Sequence, residues 1–209
     1  MNEIILDNQY FGCINYYLIL FKNRYAKIEQ YDRWQKASFR NRCAVATANG
    51  MLYLTVPVES GRNQKTVFKE VKIDYLHNWQ QQHWRTLISA YNKSPFFEYY
   101  QSGLEKLLHK KHNFLFDLDV EILNWVIKTL KVEINISYTE LYEKKYSNEI
   151  IDYRNEWLPK NFQQKNNIIQ YTQVFEKQTG FIPNLSILDL LFNEGPNTIN
   201  IFKKQVEYL

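Results

Sequence analysis

The chain has 209 residues, 45% of them hydrophobic and 16% aromatic, and a net charge of +4. That length suits one domain over 1–209, and the apolar share excludes a disordered chain. Two cysteines exclude a disulfide framework. The N-terminal run lacks a basic region and a cleavage site. The apolar segment around Tyr16 to Phe21 is too short to cross a bilayer. The expectation is a cytoplasmic protein without a membrane span. The mild charge, with no zinc-finger, RNP-type or basic-tail pattern, argues against a nucleic-acid partner.

Residues 10–21 place Phe11, Ile14, Leu18 and Phe21 on one helical face and predict a buried helix. Residues 25–30 predict a short strand. Residues 43–48 and 51–58 flank Asn49-Gly50, the strongest short-range hairpin signal, with Pro57 at an edge or strand end. A loop is expected at 60–63 and a strand at 71–74. Trp79, His83, Trp84, Leu87, Ile88 and Tyr91 share a helical face. Pro95 breaks that helix before a second at 96–108. Asp117 or Asp119 can cap a third helix, which holds Ile122, Leu123, Val126, Ile127 and Leu130. Residues 132–137 predict a strand. The polar stretch 138–167 reads as an exposed excursion or a mobile loop. A last helix starts after Pro183, where Asn184 and Ser186 can cap it, and stops at Gly195-Pro196. The fold class is α+β: a small early antiparallel sheet with helices packed on it, and a helix-rich C-terminal half.

The densest chemistry lies in Gln35-Lys36-Ala37-Ser38-Phe39-Arg40-Asn41-Arg42. If this run is extended, Arg40 and Arg42 face one way and Asn41 the other. Two guanidiniums on one face suit bidentate capture of a diphosphate or carboxylate, and Lys36 adds a point charge. Ordinary ion pairs with acidic neighbours are the competing reading. His83 lies between Trp79 and Trp84, where desolvation lowers its pKa toward that of a general base. A core histidine satisfied by one hydrogen bond is the alternative. Asp189 stands among Leu188, Leu190, Leu191 and Phe192, so it faces solvent or is paired. There is no P-loop, dinucleotide fingerprint or nucleophile elbow, and no Cys/His metal cluster. The sequence names no cofactor.

Three stretches together resemble the WbqC-like family. They are Gln35-Lys36 with Arg40-Asn41-Arg42 and Leu54-Thr55-Val56-Pro57-Val58; Ile73-Asp74 with Trp79, His83-Trp84-Arg85, Ser89-Ala90-Tyr91 and Ser94-Pro95-Phe96-Phe97-Glu98-Tyr99-Tyr100; and the run from Phe181 to Pro196. Family members are associated with surface-polysaccharide loci of the O-antigen type. The resemblance therefore implies a sugar-nucleotide or glycan-modification setting, without naming a reaction. Many relatives have a Pro-rich lead into the first helix where this chain reads Gln9-Tyr10-Phe11-Gly12-Cys13, which argues against Cys13 as a family-wide nucleophile.

The expected protein is a transferase-like enzyme acting on an activated sugar or glycan precursor. Its expected ligand is an anionic or hydroxylated small molecule such as a sugar nucleotide. Lys36, Arg40 and Arg42 would hold the anionic moiety. Gln35, Asn41, Tyr91 and Asn193 would contact the ligand. His83 would be the base, with Asp189 orienting it or the acceptor. The second reading is a non-catalytic module that binds a glycan precursor or a partner enzyme of the same pathway.

Overall fold

The computed structural model describes residues 3–59, 65–147, 149–164 and 168–208; the loop expected at 60–63 lies outside them. The chain opens with strand β1 (Glu3–Asp7), helix α1 (Ile14–Asn23) and strand β2 (Tyr25–Glu29). A hairpin of β3 (Arg42–Thr47) and β4 (Gly50–Thr55) follows. Helices α2 (Trp79–Tyr91), α3 (Phe97–His109) and α4 (Leu115–Leu130) come next, then strands β5 (Asn135–Tyr138) and β6 (Ile150–Asp152). The chain finishes with α5 (Glu176–Thr179), α6 (Ile187–Glu194) and α7 (Thr198–Val206).

The main sheet is four-stranded, in the order β5-β2-β1-β6, with each pairing parallel. β1 lies inside it, and Ile4, Ile5 and Leu6 are buried on both faces. Such a strand is a continuous apolar run rather than an alternating one. α1 is the crossover from β1 to β2 and is buried nearly all round, as a helix apolar on every side must be. Its end is set by Arg24 in a left-handed conformation, whose N–H returns to the carbonyl of Leu20. The buried apolar side chains form one connected cluster. No helix among the described residues is long and apolar enough to cross a membrane.

The mixed helix-and-strand class holds, but the principal sheet is parallel and the antiparallel sheet among the described residues is the two-stranded β3–β4 hairpin. The hairpin turns where expected, with Thr47 opposite Gly50 and Gly50 at φ +98. Residues 71–74 make isolated bridges, Val58 with Ile73 and Lys72 with Phe114, instead of a regular strand. The expectation for 138–167 also needs correction. Its first part is exposed, but β6 pairs with β1, and Trp157 and Phe162 enter the core. Arg154 fastens this segment. It donates to Asp152 at 2.6 Å and to the buried Glu29 at 3.3 Å, while its guanidinium lies over the rings of Tyr142 and Tyr146. Neither Asp117 nor Asp119 caps α4, because both lie inside it and Phe114 holds the capping position.

Gly195 ends α6 at φ +53, and a Cβ placed there would lie inside the van der Waals surface of the Phe96 ring. Gly195→Ala should therefore cost about 3 kcal/mol or more, from strain and overlap together. Urea unfolding reads this directly. An unchanged midpoint would mean that the α6 end is not held against Phe96.

Candidate functional site

β1 has parallel neighbours on both sides, yet the chain leaves it toward β2 alone, so its carboxyl end is a topological switch point. In parallel sheets that crevice is the usual ligand position. Here it receives Asp7, Asn8, Gln9 and Tyr10, all buried. Asp7 Oδ1 accepts from the backbone N–H of Asn155, just beyond β6, at 3.0 Å. Gln9 Nε2 donates weakly to Asp7 Oδ2 at 3.4 Å, and the Gln9 N–H donates to Asn8 Oδ1. Gly12 is bare because a Cβ there would come within 2.8 Å of Gln9 Oε1.

The start of α1 is not free for a phosphate, the use that dinucleotide folds make of this place. Its first N–H groups are taken by the Leu185 carbonyl and by Asn184 Oδ1, each at 2.9 Å. Asn184 thus caps α1, while Ser186 accepts from the Leu188 N–H and caps α6.

Arg40 projects from the turn before β3 and is fully buried. It donates to Asp32 at 2.5 Å and to the Arg33 carbonyl at 2.7 Å, and its plane lies over Phe68. Its Nε has no partner among the described residues. The same guanidinium is the cation whose field reaches both Asp7 and Asp119. Asp119 is 0% exposed, and among the described residues neither carboxylate oxygen has a hydrogen-bond partner. Burial holds its carboxyl well above the usual range; Arg40 opposes that shift and the Asp7 charge adds to it. Burial also raises Asp7, against the pull of Arg40 and of its hydrogen bonds. One guanidinium, already bonded to Asp32, therefore serves three carboxylates. A carboxyl group kept protonated or weakly ionised in this way is a candidate general acid or base.

Tyr16 and Tyr17 stand within electrostatic reach of Asp119, and their buried hydroxyls have no partners among the described residues. Tyr10 shares a 2.9 Å hydrogen bond with His83 Nδ1. Burial pushes His83 down to about 4, while the Thr55 backbone holds back part of the shift, so the ring is neutral at physiological pH. Burial pushes the Cys13 thiol up to about 12 and raises Cys43 likewise. Both thiols are inert at neutral pH. Among the described residues no three His, Cys, Asp or Glu side chains are grouped to hold a metal ion.

Asp189 belongs to a second buried network. It accepts from Tyr91 at 2.6 Å, from Tyr171, and from Gln173 at 3.3 Å. Tyr91 in turn accepts from the Ala46 N–H, and Gln173 exchanges two hydrogen bonds with Ile182. Asn193 returns to the Asp189 carbonyl. Asn193 and Gln173 also line an open cleft of about 790 Å³ with Lys93 and Lys177.

The structure thus divides the expected site residues. Tyr91, Asp189 and Asn193 stand together; among the described residues no hydrogen bond joins His83 to Asp189. His83 and Arg40 belong instead to the surroundings of Tyr10 and Asp119. The expected one-sided display of Arg40 and Arg42 fails, because 39–41 form a 3-10 turn and Arg40 points inward to Asp32. Arg42 is half-buried near Tyr53, with its Nε unpartnered among the described residues. Asn41 donates to the Val56 carbonyl. Gln35 is half-buried and Lys36 exposed. Sequence reasoning missed Asp7, Asn8, Gln9, Tyr10, Asn155, Tyr171 and Gln173, and considered Asp119 only as a cap. One signal was present: three polar residues directly after the apolar run Ile4-Ile5-Leu6.

The sequence matches the model of the WbqC-like protein family over residues 9–157 and 144–201. This chain belongs to the WbqC-like family. The match takes in Arg40, His83, Asp119 and Asp189 and begins just after Asp7 and Asn8. A relative of this chain by sequence is the uncharacterized protein Rv1507c of Mycobacterium tuberculosis. It is 28% identical over 199 residues, covering 79% of this chain and 82% of that protein. No solved structure matches.

Proposed function

We propose that this WbqC-like protein is a cytoplasmic, transferase-like enzyme. It acts on an activated sugar or glycan precursor in surface-polysaccharide biosynthesis of the O-antigen type, with its chemistry at the carboxyl end of β1. The observation that carries this reading is Asp119, a fully buried carboxyl group with both oxygens unpartnered among the described residues, beside Asp7 and Arg40. A group left in that state costs stability and belongs where a substrate supplies the missing hydrogen bonds. In this reading Asp119 exchanges the proton of the reacting hydroxyl or amine. Asp7 keeps its affinity for that proton high, and Arg40 fixes the carboxylates. His83 is a positioning residue: neutral and bonded to Tyr10, it sets the wall of the site. Asp189 braces the neighbouring elements.

The second reading, a non-catalytic module for a glycan precursor or pathway enzyme, draws on the open cleft beside Lys93, Lys177 and Asn193. Incubation with nucleotide-activated sugars and acyl or aminoacyl donors, followed by mass spectrometry, separates the two. Enzyme action predicts a new product mass with wild type and none with Asp119→Asn. Binding without turnover, weakened by Lys93→Ala and Lys177→Ala but untouched by Asp119→Asn, would replace the enzyme with the module.

A further inference from the structure

We infer, on the transferase reading, that a pocket between α3 and α4 holds the nucleoside diphosphate end of the activated donor. This pocket has a volume of about 430 Å³, inside the range of small-molecule sites, about 300–1,000 Å³. Its walls are aromatic. The Tyr99 and Tyr100 rings meet edge-on with centres 4.9 Å apart, and Trp125 meets Tyr100 edge-on at 6.5 Å. Tyr99 is 70% exposed. Alone it would be an ordinary surface residue. Beside a half-buried indole it offers flat π surface, on which any nucleobase stacks.

Charge points the same way. Lys128 and Lys131 line the pocket, no carboxylate does, and among the described residues neither lysine is in an ion pair. The Lys93–Lys177 cleft, by contrast, includes Glu176, and the hollow along β5 carries Glu3, Glu140 and Glu143. α3 begins and α4 ends at the pocket, so their dipoles oppose one another there and the lysines set the sign. Lys131 ends α4 at φ +53, a place usually given to glycine, and keeps a cation there despite the strain. Gly103 supplies the last element. A Cβ there would come within 3.1 Å of Trp125 Nε1, so the bare backbone leaves that N–H open, and among the described residues no hydrogen bond takes it. Two ammonium groups and an indole N–H are donors only, and the tyrosine and Thr129 hydroxyls serve either way. A diphosphate, all acceptor and doubly charged or more, is their complement.

The pocket adjoins the β1 centre without being part of it. Phe11 meets Tyr10 at 4.9 Å on one side and Trp125 at 6.4 Å on the other, so one ring separates the two. Asp119 and Trp125 share α4, about 9 Å apart along its axis.

Isothermal titration calorimetry with the 5′-diphosphates of uridine, guanosine, adenosine, cytidine and thymidine tests this on wild type, Tyr99→Ala, Lys131→Gly and Gly103→Ala. At least one diphosphate should bind wild type, with its parent nucleoside, inorganic pyrophosphate and glucose 1-phosphate each about tenfold weaker or more. Each variant should weaken the diphosphate by about five- to tenfold. Tyr99 and Lys131 are exposed, and φ +53 suits glycine, so Lys131→Gly should lose affinity without a lower unfolding midpoint. The inference is overturned if no diphosphate binds, if pyrophosphate or glucose 1-phosphate binds as tightly, or if Tyr99→Ala and Lys131→Gly bind like wild type. Binding that weakens in these variants, with no sugar nucleotide turned over, would retire the transferase reading and keep the pocket. Asp119-dependent turnover with KM unchanged in Tyr99→Ala and Lys131→Gly would do the reverse.

Discussion

Asp119→Asn should make the protein more stable at neutral pH and inactive. Burial raises the Asp119 carboxyl above its ordinary value of 3.8, so the folded state holds that proton more tightly than the unfolded chain does. The group's favourable contribution is then complete below that ordinary value and is lost as pH rises through the higher folded-state value. Asparagine has a similar shape and no proton to lose. The midpoints of wild type and variant should therefore coincide in acid and separate as pH rises, with the variant ahead by about 2 kcal/mol, or about 4–8 °C, at neutral pH. Residues retained for function at the expense of stability behave this way. Because Asp7 is coupled to Asp119, the rise belongs to the pair, and Asp7→Asn should reproduce part of it. Thermal unfolding across a pH series decides the matter. A midpoint that falls in Asp119→Asn would mean that the native carboxylate has a partner after all, and the site assignment would fail.

Asp189→Asn should do the opposite. This aspartate is equally buried, but its carboxylate is fully used by Tyr91, Tyr171 and Gln173, which join α2, α6 and the irregular segment before α5. An amide nitrogen in that position turns a donor toward donors and leaves at least one buried hydroxyl unpaired. The cost should be about 3–5 kcal/mol, roughly 10 °C or more in midpoint. Tyr91→Phe and Tyr171→Phe should each cost less, and their sum should not equal the double variant, since the hydroxyls share one carboxylate. Activity per folded molecule should survive in all of them. A stable but inactive Asp189→Asn would move the chemistry to α6 and the cleft beside it.

These two aspartates also show how far the sequence could be read. Asp189 was legible as a carboxylate that must be paired, because its neighbours Leu188, Leu190 and Leu191 are apolar. Its partners lie far off in sequence, and no periodicity reports them. Asp119 shares its helix with an acidic first turn, so local pattern favoured a cap. Only the packing of α4 against the Arg40 turn shows it to be buried and unmatched. The hairpin was legible because Asn49-Gly50 fixes a turn whose strands adjoin it. The parallel sheet was not, because β5 and β6 are short and each pairs with a strand more than a hundred residues away in sequence. β1 carries a three-residue apolar run, Ile4-Ile5-Leu6, that suits a helix or a strand equally. Arg40 read as a ligand-binding guanidinium sharing a face with Arg42, with an ordinary ion pair as the competing reading; a 3-10 turn, which local composition does not announce, carries it inward to Asp32.

The position of β6 has a consequence for the protein's synthesis. A ribosome delivers β1, α1 and β2 first, and the open side of β1 stays unpaired until Ile150–Asp152 emerges. An unpaired apolar strand is an invitation to other chains. A nascent chain stopped short of Ile150 therefore carries a sticky edge. The same late arrival brings Asn155 to Asp7, so sealing that edge and assembling the reactive centre are one event.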